Sequence, residues 1–336
     1  MERQGDPTMQ SYWMQMSDES TVLALRETAL PQPGPQQLLL RMHAASLNRG
    51  EFVAGHGLHG QPGSWKAIGG EGAGEVVAVG AGVTRFKPGD PVMGRCSGAF
   101  SEYALMEEIE AMAKPASLSW EEAACVALTF LVSYDMLVLQ GRLQPGEWVL
   151  INGVSSGVGV ASLQLAKLLG AKVIGTSGSD DKLARLKTLG LDLALCTRAP
   201  DFCAAVMQAT EQRGADLVIN TVGGTVFAEN IRAMAFEGRL ATVGYVDGVV
   251  QAELDLAALH AKRLTLFGVS NKLRSKAQRA AAIPAFVNEV LPHIAAGRIR
   301  PQIDRVCDFA QLKEAKATME SGDHVGKIVL RIPAAA

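Results

Sequence analysis

An unbroken apolar run, Trp148–Ile151, ends in the small-residue stretch Asn152-Gly153-Val154-Ser155-Ser156-Gly157-Val158-Gly159. A continuous run of this length reads as a strand buried on both faces. Apolar positions then recur at helical spacing from Val158 to Leu169, stop at Gly170, and give way to a second strand-like run, Ala171–Thr176. Strand, turn, helix, strand is a βαβ unit. Small residues at its first crossover let a backbone approach a pyrophosphate and aim helix amides at it. The unit therefore points to a dinucleotide and to hydride chemistry. The G-x-G-x-x-G fingerprint is incomplete, since Val154 and Ser156 stand where its first two glycines belong and only Gly159 is in place. The order of elements carries the reading, against an ordinary turn in a parallel sheet.

The remaining pattern has two regimes. In the first third, short strands are predicted at Leu38–Met42, after the Pro/Gly-rich stretch Pro31–Pro35, and at Glu75–Val79, among Gly70, Gly72, Gly74, Gly80 and Gly82. Pro88-Gly89-Asp90 is a turn into Val92 and Met93. Glycine-rich β structure of this kind predicts a small barrel. From Trp120 the period lengthens: Glu121–Leu139 reads as a helix broken near Thr129. Strands at Leu217–Thr221, Leu240–Val243 and Leu264–Val269 then alternate with helical stretches such as Glu229–Phe236, which predicts a doubly wound parallel sheet. A long helix from Lys276 to near Ala296 and a final strand, Lys327–Arg331, complete the pattern. The tail is expected to return to the first domain. One domain then comprises 1–133 and 272–336, with 134–271 inserted as the other.

Composition narrows the class. The chain has 336 residues, enough for two domains, and 48% of them are hydrophobic, which suits a buried sheet. Thirty-two basic and 34 acidic side chains leave a formal charge of −2, with no basic stripe for nucleic acid and no run of like charge. Cys96, Cys125, Cys196, Cys203 and Cys307 have no C-x-x-C spacing and are odd in number, which points to a reducing cytoplasm. No signal peptide and no membrane span are expected, and polar residues 1–8 read as an extension.

Several segments, in order, resemble the medium-chain dehydrogenase/reductase superfamily, in its zinc-independent, quinone oxidoreductase-like (zeta-crystallin-like) branch. They are Ala44-Ala45-Ser46-Leu47-Asn48-Arg49-Gly50-Glu51, Gly70-Glu71-Gly72-Ala73-Gly74-Glu75-Val76, Phe86-Lys87-Pro88-Gly89-Asp90 and Gly98-Ala99-Phe100-Ser101-Glu102-Tyr103, then the turn at 153–159, Gly238-Arg239-Leu240 and Gly326-Lys327-Ile328-Val329-Leu330. The resemblance spans about Gln10 to Ile332. It implies an α/β protein with a GroES-like β-barrel catalytic domain and a Rossmann domain, with the cofactor in the cleft between. It also implies NADPH as cofactor and transfer of hydride to a quinone or to the C=C bond of an α,β-unsaturated carbonyl compound. The zinc-using branch carries His where Gly70 stands and its first Cys ligand where Asn48 stands, so no metal is expected. His56 and His59 read as a solvated glycine loop rather than a metal pair.

The resemblance also implies site residues. The pyrophosphate is expected over Ser155, Ser156, Gly157 and Val158. The second strand ends at Thr176-Ser177-Gly178 without the carboxylate that NAD enzymes place there, and Lys182 is expected on the 2′-phosphate. Thr197 stands where relatives carry a phosphate-binding tyrosine, an absence for which Arg198 beside it is the candidate compensation, and Val132 where many carry a threonine. Val222, Gly244, Tyr245, Val269, Ser270 and Asn271 end successive strands at the ligand-binding edge. Asn48 is the candidate contact to nicotinamide or acceptor. Val53 replaces a common tyrosine, which leaves Tyr245, His56 or water as the acid. Tyr103 and Tyr134 read as packing residues. A small-molecule acceptor and a homodimer paired through Leu264–Val269 are the expected partners. The basic cluster Lys272, Arg274, Lys276 and Arg279 keeps an enoyl-thioester reductase open, against a solvated helix start. An NADPH-binding protein without catalysis is the rival from another class.

Overall fold

The computed structural model describes residues 7–16, 21–52 and 63–333. Val53, His56 and His59 lie outside the described residues. Contacts divide the chain into two compact units, Met1–Leu128 with Asn271–Gly297 and Ile303–Ala336, and Thr129–Ser270 with Arg298–Gln302.

The second unit is built on six strands: β1 (Trp148–Asn152), β2 (Lys172–Ser177), β3 (Leu193–Cys196), β4 (Ala215–Asn220), β5 (Met234–Thr242) and β6 (Thr265–Gly268). All neighbours are parallel, and their order is β3-β2-β1-β4-β5-β6. That is the order of a dinucleotide-binding doubly wound sheet, which reverses direction between β1 and β4. One row of apolar side chains crosses every strand in register: Leu193, Ile174, Leu150, Val218, Leu240 and Leu266. The four inner members are fully buried in one core cluster. Helix α1 (Gly157–Leu168) joins β1 to β2, and α2 (Asp180–Lys187) joins β2 to β3. The turn into α1 needs glycine at Gly153, where φ is +69°, and α1 closes at Gly170, where φ is +81°.

The first unit holds two antiparallel-rich sheets. The larger runs Ile303–Asp308, Lys327–Arg331, Gln37–Ser46, Glu71–Val79, Pro91–Arg95 and Ala111–Ala113, with Tyr103–Glu107 also on Gln37–Ser46. The smaller joins Thr21–Ala29, Thr8–Met16 and Trp65–Ala67. Their core includes Met14, Leu38, Leu40, Met42, Val76, Phe100 and Leu330. This unit is a GroES-like barrel, and the second unit is a Rossmann sheet.

Several elements differ from the sequence expectation. The long helix after Lys276 is three short ones, Lys276–Ala280, Ile283–Glu289 and Leu291–Ala295. Pro284 and Pro292 lack the amide needed to continue a helix and instead occupy the first turn of a new one. The helix expected over Glu121–Leu139 with a break near Thr129 is Trp120–Ala123, then Thr129–Tyr134, so the break falls where expected; what differs is that the second part runs into a π-helical turn at Asp135–Leu139. The gap falls where the Leu128 amide donates to the Glu71 carboxylate, at 2.7 Å, instead of to a helical carbonyl. The helix expected to Phe236 stops at Ala233, because Met234 already pairs with Ala215 in the sheet.

Gly159 tests how α1 is seated. A Cβ there would stand 2.5 Å from the Gly153 carbonyl oxygen and 2.7 Å from that of Val154. Gly159→Ala is expected to cost about 1–3 kcal/mol in urea unfolding. An unchanged midpoint would mean that α1 does not rest on its own turn.

Candidate functional site

In the Rossmann unit, the expected cofactor residues gather at the carboxyl ends of the strands. Ser156 caps α1, its hydroxyl accepting from the Gly159 amide at 3.0 Å. Capping at that third position leaves the amides of Gly157 and Val158 as first-turn donors, the groups that receive a phosphate at a helix start. Thr176 holds the turn by accepting from the amides of Gly153 through Oγ1 at 3.3 Å and of Val154 through its carbonyl at 3.0 Å. The hydroxyls of Ser155 and Ser177 meet at 3.3 Å, so β2 and the turn share a polar lip. This arrangement fits a dinucleotide pyrophosphate.

Other members of the set have defined local partners. Asn220 accepts from the amides of Val222 and Gly223, both at 3.0 Å, and so shapes the loop after β4. Gly244 follows β5, and Tyr245 beside it is 42% exposed. Val269 is buried after β6, its amide donating to the Thr242 carbonyl at 3.3 Å, while Ser270 is exposed. Val132 is buried on the Thr129–Tyr134 helix. Ser179 caps α2 by accepting from the Lys182 amide at 3.4 Å. Thr197 follows β3, and Arg198 lies against Gly178. Asn271 falls by contacts in the barrel unit, where its side chain accepts from Arg274 at 3.4 Å.

The barrel unit contains a polar centre that sequence reasoning did not single out. Lys327 is 5% exposed and Glu71 fully buried, and they form an ion pair at 3.0 Å. The Lys327 ammonium also donates to the Leu47 carbonyl at 2.8 Å and to Asn48 Oδ1 at 2.7 Å, so its three hydrogens all have acceptors. Glu71 accepts further from Ser46 Oγ at 2.6 Å, Asn48 Nδ2 at 3.0 Å and the Leu128 amide at 2.7 Å. Asn48 donates its other amide hydrogen to Glu51 Oε1 at 3.3 Å. Asn48 was expected to offer its amide to nicotinamide or acceptor; both of its hydrogens and its oxygen are committed inside this network.

Glu51 occupies the space beside Gly70. Its Oε1 accepts from the Gly70 amide at 2.8 Å, and a Cβ on residue 70 would stand 2.8 Å from that same oxygen. Burial raises the Glu51 carboxyl to about 7; the Glu71 charge adds to the rise, while Lys327 and the hydrogen bonds from Asn48 and Gly70 oppose it. The thiols of Cys96 and Cys125 are pushed up by burial and further by Glu71, which makes them poor nucleophiles. Among the described residues, no group of three or more His, Cys, Asp or Glu side chains is arranged to hold a metal ion.

The signal for this centre was present in the sequence. Glu51, Glu71 and Lys327 each lie in a segment that marked the resemblance, and Glu71 and Lys327 sit among small or apolar strand residues. A charge in such a strand is rarely buried unless it is paired. The basic cluster, by contrast, is partly neutralised: Lys276 pairs with Glu107 at 2.5 Å and Arg279 with Glu110 at 2.8 Å.

Glu51 gives stability a pH dependence. The native group titrates near 7 against an ordinary 4.5. Between those values the native state keeps a proton that the unfolded chain sheds, so stability falls as pH rises through the window and levels off above about 7. Glu51→Gln removes the penalty. The variant is expected to be more stable than the parent at pH 8, by up to about 3 kcal/mol, with the difference vanishing towards pH 4.5. Parallel melting curves for the two proteins at all pH values would refute this.

Two family models match the chain: an alcohol dehydrogenase GroES-like domain over residues 34–116 and a zinc-binding dehydrogenase over residues 157–286. Among curated proteins, a phenolphthiocerol/phthiocerol polyketide synthase of Mycobacterium tuberculosis is 32% identical over 312 residues. The match takes in 93% of this chain, which spans 14% of that protein's length. Among solved structures, an NAD-dependent alcohol dehydrogenase is 31% identical with a TM-score of 0.83, over 97% of this chain and 100% of that one. A quinone oxidoreductase from Pseudomonas syringae pv. tomato DC3000 is 28% identical with a TM-score of 0.83, over 96% and 99%. A mycobacterial protein solved with NADPH is 26% identical with a TM-score of 0.85, over 96% and 99%. With its GroES-like barrel and its Rossmann sheet, the chain belongs to the medium-chain dehydrogenase/reductase superfamily.

Proposed function

We propose that this oxidoreductase is a zinc-free, NADPH-dependent reductase of quinones and α,β-unsaturated carbonyl compounds. The observation that carries the reading is the end of β2. It finishes Thr176-Ser177-Gly178 with no carboxylate, where an NAD-binding sheet holds the ribose diol with Asp or Glu. When bound, NADPH supplies a hydride from C4 of its nicotinamide. Ser155, Ser156, Gly157 and Val158 receive the pyrophosphate. Val132, Val222, Gly244 and Tyr245 serve the nicotinamide half, and Val269, Ser270 and Asn271 its carboxamide.

A quinone or enone needs little further activation. Its developing oxyanion takes a proton from water or from the exposed phenol of Tyr245. Asn48 acts by fixing its surroundings, since its amide is held by Glu51, Glu71 and Lys327. Five free cysteines suit a cytoplasmic enzyme, and no helix among the described residues is long and apolar enough to cross a membrane. The edge strand β6 is the element that would pair in a homodimer.

The polyketide synthase relative favours a second reading, reduction of an enoyl thioester. Ion pairing of Lys276 and Arg279 counts against it, because a CoA or phosphopantetheine phosphate would have to compete with Glu107 and Glu110.

The test is NADPH oxidation with 1,4-benzoquinone, a simple enone and crotonyl-CoA in parallel, under EDTA, with NADH as the control. Turnover of quinone or enone that EDTA leaves unchanged, with NADPH preferred at least about tenfold, is expected. Turnover of crotonyl-CoA alone would replace this reading by the thioester one. Silence on all three, with NADPH still bound, would mark a binding protein.

A further inference from the structure

We propose that Arg198, and not Thr197, reads the 2′-phosphate of NADPH, so that cofactor choice rests on a guanidinium lying across Gly178. The inference depends on the NADPH reading above. Thr197 occupies the position at which the resemblance implies a phosphate-binding tyrosine, and Arg198 is the candidate to compensate for that tyrosine. The Thr197 hydroxyl is already committed. It donates to Asp201 Oδ1 at 2.7 Å and accepts from the Ala199 amide at 3.0 Å, closing the turn after β3. A hydroxyl has one hydrogen to give, and here Asp201 takes it.

The same turn delivers the next residue. The Thr197 amide donates to the Ser177 carbonyl at 3.0 Å, which ties the start of the turn to the end of β2. Arg198 then crosses Gly178 closely: a Cβ on residue 178 would stand 2.6 Å from Arg198 Cγ and 2.8 Å from Cδ. Gly178 has no positive φ, so its lack of a side chain provides room rather than a turn. Any larger residue there would push the arginine aside.

Arg198 is exposed, and among the described residues it makes no ion pair. Its planar fork matches a phosphate bidentately, which a hydroxyl does not. The acid in the same turn is occupied, since Asp201 holds Thr197. Ser177 turns its hydroxyl towards Ser155, into the lip of the pyrophosphate turn. Arg198 is therefore the cation placed to meet the adenine ribose at the end of β2, with Lys182 on the helix that follows.

Binding titrations test this without turnover. NADPH, NADH, 2′,5′-ADP and 5′-AMP would be titrated by calorimetry against the parent, Arg198→Ala and Arg198→Lys. Arg198→Ala is expected to weaken NADPH and 2′,5′-ADP roughly 10- to 100-fold, with NADH and 5′-AMP within about twofold. Arg198→Lys should recover part of the loss. Undiminished NADPH affinity in Arg198→Ala overturns the inference, as does equal weakening of all four ligands, which would make Arg198 a support for the loop. A parent that binds NADPH no better than NADH, and 2′,5′-ADP no better than 5′-AMP, would instead refute the NADPH reading itself.

Discussion

The barrel unit depends on the buried ion pair between Lys327 and Glu71. Removing two charges from water is costly, and the pair persists because every hydrogen of the ammonium has an acceptor and both carboxylate oxygens have donors. Loss of one partner from such a pair costs about 3–5 kcal/mol. The pair brings together the strands Lys327–Arg331 and Glu71–Val79 and the residues Leu47 and Asn48 just after Gln37–Ser46. Through the Leu128 amide it also fixes the point where the chain leaves this unit, since Thr129 begins the other. Glu51 completes the centre by filling the space beside Gly70. Burial and the Glu71 charge raise its proton affinity, so the cluster need not hold a second carboxylate charge beside the one that Lys327 compensates.

The Rossmann unit is organised on a different principle. Its sheet is buried by apolar residues on both faces, one row of them crossing all six strands in register, and its polar chemistry is displaced to the strand ends. There the side chains chiefly shape loops. Asn220 holds the loop after β4, Ser156 starts α1, and Thr197 closes the turn after β3.

Much of this was legible in the sequence because period and punctuation agree locally. The strand-turn-helix-strand at 148–176 was readable to within a residue or two, since glycines mark both ends of α1. The helix after Lys276 was misread because apolar periodicity continues through Pro284 and Pro292, and the prolines outweigh it. The first two strands escaped notice because Thr21–Ala29 leaves Val22 and Leu25 exposed and so lacks a clean alternation. At the sites, residue type pointed to Thr197 and Asn48, but not to what their side chains already hold. Glu51, Glu71 and Lys327 lie far apart in sequence, and only the folded sheet brings them within hydrogen-bonding distance.

The contrast between the two units bears on how such a protein changes through descent. Gly178 and Arg198 lie exposed at the rim of the sheet, so an exchange there leaves the core of the sheet intact. Positions 48, 71 and 327 have no such freedom, whereas position 51 tolerates the neutral isostere of its acid. An isolated change at 48, 71 or 327 strands a charge or a donor in a dry interior, so viable lineages are constrained to retain those three together or to replace them together. The barrel's polar centre therefore behaves as one inherited character, and the rim of the Rossmann sheet as several.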